Sequence, residues 1–386
     1  MDFNQRIERR GTHCVKWDEC AADDIIPLWV ADMDFAVAPA IQEAVRRRAE
    51  HPVFGYTVVE DDYYEAVISW FRRRHGWTIA RTDILYTTGV VPAMSCAIKA
   101  LTMPGERVLI LSPDYNCFFS SIKNNGCEVA ESVLRFTRNT RFEVDWADFE
   151  AQCADEKTTV FLLCNPHNPT GRVWTREELQ RMSDICRRHQ VRIVSDEIHC
   201  ELIMPAHTFC PMGTVDVEAV ILNSPSKSFN IAGLQIANII AADPAVRRRI
   251  NRAININEVC DVNPFGPVAA MAAYNESEAW LDELNRYLWD NYTALCDFVA
   301  QHLPRWRVMP LEGTYLVWVD VTTCHDNVAT YCDRLLQEAR VWVNPGTMYG
   351  KESGEGYLRI NIACPRSLLM EALERIKSYE LRIKKI

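Results

Sequence analysis

At 386 residues the chain can bury a large core, and its length suits two or three domains. With 48% hydrophobic and 24% charged residues it has the composition of a soluble globular protein, and a formal net charge of −10 argues against nucleic acid as the main partner. The polar start MDFNQRIERRGTH has no secretory pattern and no apolar run nears the roughly 18 residues of a membrane span, so a cytoplasmic location without membrane contact is expected. The 15 cysteines are scattered singly, odd in number and without a CxxC pair, which fits reduced thiols; no metal is expected. The runs Arg46-Arg47-Arg48, Arg72-Arg73-Arg74 and Arg247-Arg248-Arg249 lie in helix-like segments and read as solvated faces.

In chain order, a short apolar segment at 25–30 leads into Ala31-Asp32-Met33-Asp34-Phe35. A helix is predicted over 39–50 with proline at its start, then a turn at 54–57, then a helix from Asp61 stopped at Gly76. A strand–helix rhythm follows. The strand at 84–88 gives way to a helix opened by Gly89, and 107–112 ends in Pro113-Asp114-Tyr115. The strand at 160–164 breaks at Asn165-Pro166-His167-Asn168-Pro169, and Thr175 with Glu178 forms a capping box for the next helix. Strands at 191–195, ending at Asp196, and at 220–222 complete the series. Beyond a helical region at 267–303 the pattern changes. The stretches 313–319 and 357–362 read as half-exposed strands, and Leu369, Ala372, Leu373 and Ile376 as the inner stripe of a closing helix. The fold class is α/β: a large domain with a mostly parallel sheet between helices, plus a smaller α+β domain.

In an open α/β sheet, ligands collect at the carboxyl ends of the strands, where Gly89, Tyr115, Asn168, Asp196 and Lys227 stand. Gly89-Val90-Val91 at a helix N-terminus offers free N–H groups to a phosphate, and Ser224 and Ser226 can add hydroxyls. Tyr115 can stack on a ring, Asn168 can donate to a phenolate oxygen and Asp196 can keep a ring nitrogen protonated. Lys227, held past a strand by a proline and two serines, can form an imine with an aldehyde. Together these are the requirements of pyridoxal 5′-phosphate. Singly, each has a plainer reading: Asp196 as a helix cap, Asn168 and Gly89 as turn residues, Tyr115 as core, Lys227 as an exposed loop lysine. Five in register at strand ends favour the joint reading.

The strings Asn168-Pro169-Thr170-Gly171 and Ser224-Pro225-Ser226-Lys227, with Asp196 and Arg359, resemble the fold type I, aspartate-aminotransferase-like enzymes. PLWVADMDF (27–35), FGYT (54–57), GVVPA (89–93), CNPHNPTGRVW (164–174), SDEIH (195–199), SPSKSFNIAGLQ (224–235), EGTYLVW (312–318), NPGTMYG (344–350) and RINIACPRS (359–367) resemble one branch, the MalY/PatB family of cystathionine β-lyases. The resemblance implies a large cofactor domain at 46–282 and a small domain from 1–45 with 283–386. It makes Lys227 the imine lysine and Cα base, Asp196 the partner of the pyridinium, Asn168 the partner of the ring hydroxyl and Tyr115 the stacking ring. It assigns the phosphate to Gly89, Val90, Val91, Ser224 and Ser226, with Tyr56 reaching the neighbour's phosphate in a homodimer. Arg359 would fork onto the substrate α-carboxylate, with Ala31, Asn168 and Tyr115 among the substrate contacts. His199 stands where many relatives have a tyrosine near the ring hydroxyl, and Gln235 where many have a phosphate-binding arginine.

The implied activity is α,β-elimination of cystathionine or a related cysteine S-conjugate to thiol, pyruvate and ammonia. It differs from transamination in holding the Cβ–S bond perpendicular to the ring plane. An aminotransferase of aromatic or sulfur amino acids and a non-catalytic cofactor-binding regulatory protein are the alternatives. Tyr56, Asn116, Phe118 and Tyr349 are candidates for the pocket around the substrate tail.

Overall fold

Short apolar runs become seven strands of a central sheet in the computed structural model, which describes residues 1–137, 141–324 and 327–383. In chain order they are β1 (Ile84–Thr87), β2 (Arg107–Ser112), β3 (Glu128–Val133), β4 (Thr158–Cys164), β5 (Arg192–Asp196), β6 (Val220–Asn223) and β7 (Ala237–Ile240). Their spatial order is β1-β7-β6-β5-β4-β2-β3. Neighbours from β6 through β3 pair in parallel, whereas β7 is antiparallel to both β6 and β1. The expected mostly parallel sheet is present, with one reversed strand beside its edge.

Successive side chains on a strand point to opposite faces, so the apolar runs feed two cores. Val108, Ile110, Leu162, Val194 and Leu222 enter one; Leu109, Leu111, Phe161, Leu163, Ile193 and Ile221 enter the other. The helices that frame the site are α1 (Val15–Asp18), α2 (Pro39–Glu50), α3 (Asp61–His75), α4 (Val90–Leu101), α5 (Asn116–Asn124), α6 (Arg176–Arg188), α7 (Phe265–Glu276), α8 (Glu278–His302) and α9 (Arg366–Ile383). The sequence signals at their ends work as read. Thr175 and Glu178 form the reciprocal capping box of α6. Gly76 closes α3 in the left-handed region, at φ 63, donating to Arg72 O.

A four-stranded antiparallel sheet follows, of β8 (Arg307–Val308), β9 (Leu316–Asp320), β10 (Asn344–Pro345) and β11 (Tyr357–Asn361), ordered β8-β9-β11-β10. Here one expectation fails: β9 and β11 are buried on both faces rather than half exposed. The run 315–319 is apolar at every position, the pattern of a strand covered twice. Asn291 of α8 ties this part together by donating to the carbonyls of Ile362 and Cys364. A second expectation also fails. Residues 52–60 form no turn and belong to no helix or strand, with Val53, Phe54, Tyr56 and Val58 exposed, Tyr56 to 96%.

The N-terminal segment 28–35 crosses back over the carboxyl ends of the central strands. Its backbone is pinned from β11, where Asn361 N donates to Leu28 O and the Asn361 side chain donates to Val30 O and Asp32 O. Asp34 N in turn donates to Ala363 O.

Candidate active site

The strand ends bring the five singled-out positions to one edge of the sheet. Lys227 lies in the turn after β6. Ser224 Oγ donates to Ile236 O at 2.7 Å and accepts from Ser226 N at 3.0 Å. Ser224 thus spends its hydroxyl hydrogen on holding the turn, and Ser226 is the freer donor. Asn230, in the left-handed region at φ 57, closes the turn. Its amide donates to Met33 O (3.1 Å) and Phe35 O (2.8 Å) and accepts from Met33 N (3.1 Å), clipping the crossing segment beside the lysine.

Lys227 Nζ donates to Ala31 O at 2.6 Å, and Tyr315 Oη donates to the same carbonyl at 2.9 Å. Burial drives the Lys227 amine down from the ordinary lysine range, an effect that Asp32 opposes and Arg359 adds to. Asp196 ends β5, buried, with Ile198 N donating to its Oδ1 at 3.1 Å. Burial pushes its carboxyl up to about 7, only partly offset by the Ile198 N–H and the Lys227 charge. A buried carboxyl so poor in compensating charge would be relieved by a cation placed against it.

Arg359 on β11 is 3% exposed. Its guanidinium donates to Asn168 Oδ1 (3.1 Å) and Trp29 O (2.8 Å), stacks 4.6 Å from the Tyr349 ring centroid, and leaves Nε buried without a partner. His199 is buried beside Tyr315, its ring edge-on at 5.9 Å, with Nδ1 unpartnered. Burial, joined by the Lys227 and Arg359 charges, drives it down to about 3, so it is a neutral imidazole. Tyr115 is partly buried at the start of α5. Gly89 caps α4 with extended backbone, and a side chain there would meet only Pro92 at ordinary contact distance. Its value is not conformational: a bare residue leaves the Val90 and Val91 N–H groups open at the helix N-terminus.

The site thus combines an amine whose pKa burial lowers, an under-compensated carboxyl, a neutral histidine with a free nitrogen, an arginine with an unused N–H and an open helix N-terminus. This donor set fits a ring bearing a cationic nitrogen, a phenolic oxygen, an aldehyde and a phosphate.

Several other residues take places the sequence did not foretell. Tyr315, Asn230, Asn344, Asn361 and Trp29 contact the site only because distant segments meet. Tyr315 stood in the quoted string EGTYLVW but carried no role. Phe118 is fully buried, its ring edge-on to that of Tyr115 at 6.2 Å between centroids. Tyr349 is buried too, its hydroxyl accepting from Asn344 Nδ2. Tyr56 is almost fully exposed, and Gln235 is exposed in the left-handed region. Thr170, which carried no assigned role, hydrogen-bonds His167 Nδ1 at 2.8 Å, while His167 Nε2 lies 3.1 Å from Leu111 O. Away from the site, His75, Cys200 and Glu201 gather three ligand-type atoms within 4.8 Å. There Glu201 Oε1 is already engaged by Trp70 Nε1 and His75 Nε2, each at 2.7 Å, with Arg74 3.9 Å from Oε2. That is an ion-pair knot, and no metal is assigned to it.

The mostly parallel sheet and a strand-end lysine facing a buried carboxyl define the class of large α/β enzymes built like aminotransferases. The chain belongs to the aminotransferase class I and II family, which matches residues 23–376. It is 37% identical to cystathionine β-lyase PatB of Bacillus subtilis, covering 98% of this chain and 99% of that protein. It is 35% identical to protein MalY of Escherichia coli, covering 96% of each. Among solved structures, cystalysin of Treponema denticola, which contains a pyridoxal 5′-phosphate cofactor, superposes with a TM-score of 0.94 at 32% identity. That match covers 99% of this chain and 98% of the other.

Proposed function

We propose that this protein is a pyridoxal-phosphate-dependent carbon–sulfur lyase that cleaves cystathionine or a related cysteine S-conjugate to thiol, pyruvate and ammonia. The observation that carries the lyase reading over an aminotransferase is likeness along the whole chain to a cystathionine β-lyase, at 37% identity. The cofactor would sit with its aldehyde at Lys227, its ring nitrogen at Asp196, its hydroxyl at Asn168 and His199, its face on Tyr115 and its phosphate at Val90, Val91 and Ser226. When bound, it supplies an electron sink for the bonds of the amino acid's Cα.

This chain's residues do the rest. Arg359 takes the α-carboxylate, its free Nε and terminal nitrogens offering a fork that orients Cα toward Lys227. Lys227, pushed by burial toward its neutral form, accepts the Cα proton at Nζ. Tyr315 and the Ala31 carbonyl hold that amine in place. Loss of the thiolate would require the Cβ–S bond to be held perpendicular to the cofactor ring, an orientation that the Arg359 grip on the α-carboxylate would help to set.

The active unit we propose is a homodimer in which Tyr56 reaches the partner's phosphate site. An exposed apolar strip of Val53, Phe54, Tyr56 and Val58 supports this, since such a strip is a poor surface for a lone chain. The division into domains at 46–282 and at 1–45 with 283–386 belongs to the same reading. Among the described residues no helix is long and apolar enough to cross a membrane; a cytoplasmic location is proposed. The deciding assay compares pyruvate and thiol release from cystathionine with keto-acid-dependent amino transfer. Transfer without pyruvate would reject the lyase, and neither activity would leave the binding-protein alternative.

A further inference from the structure

The outer side of the crossing segment is gripped by two cations from the N-terminus. Lys16 on α1 is 0% exposed and places Nζ 2.7 Å from Asp34 Oδ2 and 3.5 Å from Asp32 Oδ1. Arg9 forks across the same pair, 2.6 Å from Asp32 Oδ2 and 2.6 Å from Asp34 Oδ1, and also donates to Met33 O at 3.1 Å. Trp17 Nε1 donates to Asp34 Oδ1 at 2.8 Å. Burial disfavours charge on both Lys16 and Asp34, yet each holds its charge against it, Lys16 shifted up and Asp34 down. The inner side of this segment presents the Ala31 carbonyl to Lys227. Among the charged groups acting on the Lys227 amine, Asp32 comes first, ahead of Arg359 and Asp196; Cys117 follows, and His199 and Tyr315 adjoin. The largest carboxylate influence on the lysine is therefore one whose charge Arg9 and Lys16 share.

We infer that Arg9 and Lys16 are positioning residues for the reacting lysine: by gripping Asp32 and Asp34 they fix the Ala31 carbonyl over Lys227 and set how much of Asp32's charge the amine feels. The inference rests on Lys227 being the cofactor lysine. Its test is the pH titration of the visible absorption band of the cofactor-bound protein, in wild type, Arg9→Gln, Arg9→Lys and Asp32→Asn. Arg9 and Asp32 are 19% and 21% exposed, so these changes leave the inner Lys16–Asp34 pair in place.

Removing the Arg9 charge leaves Asp32 less neutralised and favours the protonated nitrogen, so Arg9→Gln moves the midpoint up by roughly half a unit or more. Asp32→Asn moves it down. Arg9→Lys keeps the charge and the midpoint but loses the fork, and raises KM for the amino acid about threefold. A merely structural role would not shift the midpoints in opposite directions. Midpoints unmoved in Arg9→Gln and Asp32→Asn, or moved the same way, overturn the inference. Should Asp32→Asn not fold, the contrast between Arg9→Gln and Arg9→Lys decides alone, equal midpoints being the refutation. A wild-type protein with no such band rejects the cofactor reading instead.

Discussion

Arg359→Lys is the most informative single change at the site. The native guanidinium is fixed before substrate arrives, by Asn168 Oδ1 at 3.1 Å, Trp29 O at 2.8 Å and the face of Tyr349 at 4.6 Å. A lysine keeps the positive charge but presents one point where the fork presents two, and it cannot lie flat on Tyr349. One charge-assisted hydrogen bond to the α-carboxylate is therefore lost, worth about 1.5–3 kcal/mol. At about 1.4 kcal/mol per factor of ten, kcat/KM falls roughly 10- to 150-fold. The α-carboxylate is gripped alike before and during the reaction, so most of the loss is expected in KM, with kcat changed less than about threefold. Pyruvate release measured across cystathionine concentrations separates the two. A variant with wild-type kcat/KM refutes the clamp, and a loss confined to kcat shows that Arg359 acts on the reacting bonds instead.

Three further outcomes are expected. Lys227→Ala abolishes both turnover and the visible band of the bound cofactor; continued pyruvate release from cystathionine would move the chemistry elsewhere. Tyr315→Phe removes one of two donors to the Ala31 carbonyl, costing about 1 kcal/mol of stability and a few-fold in kcat/KM, read by thermal melting and steady-state kinetics. The third concerns Asp196, whose folded pKa of about 7 stands above its ordinary 3.8. The unfolded chain therefore holds fewer protons than the folded one between those values, and this group costs the cofactor-free protein stability as pH rises through that window. Cofactor-free Asp196→Asn escapes the penalty. Its melting temperature relative to wild type should climb from about pH 4 to about pH 7 and then level off. A difference independent of pH would show that Asp196 is not held neutral by burial.

How much of this was legible beforehand follows from what each residue depends on. Strands β1, β2, β4, β5 and β6, the α6 capping box and the stop at Gly76 are local events, written in patterns a few residues long, whereas β3, with its alternating EVAESV, went unread. Strand-end chemistry was legible for the same reason: the sheet rule gathers Gly89, Tyr115, Asn168, Asp196 and Lys227 without any knowledge of side-chain contacts. What escaped depends on segments far apart in sequence. Nothing near Asn230 says that its amide will clip residues 33 and 35, and nothing near Lys16 says that its amine will be sealed against Asp34. The exposed 52–60 segment was misread because FGYT resembles a turn in composition, yet no local hydrogen bond closes one there. β9 was misjudged because alternation was emphasised where residues 315–319 are apolar without a break; β11 does alternate, but its polar Arg359 and Asn361 are buried by segments distant in sequence.

The joining of distant segments has a consequence for synthesis. Lys227 bonds to a carbonyl 196 positions earlier, and Arg359 to one 330 positions earlier, with Asn361 reaching back 331 to the same segment. A growing chain can assemble its central sheet while the last strand is still in the ribosome, yet its vitamin-derived group would find a half-built berth. Loading should wait for the final residues to emerge, and shortening at either end should spare the sheet while emptying the protein of colour.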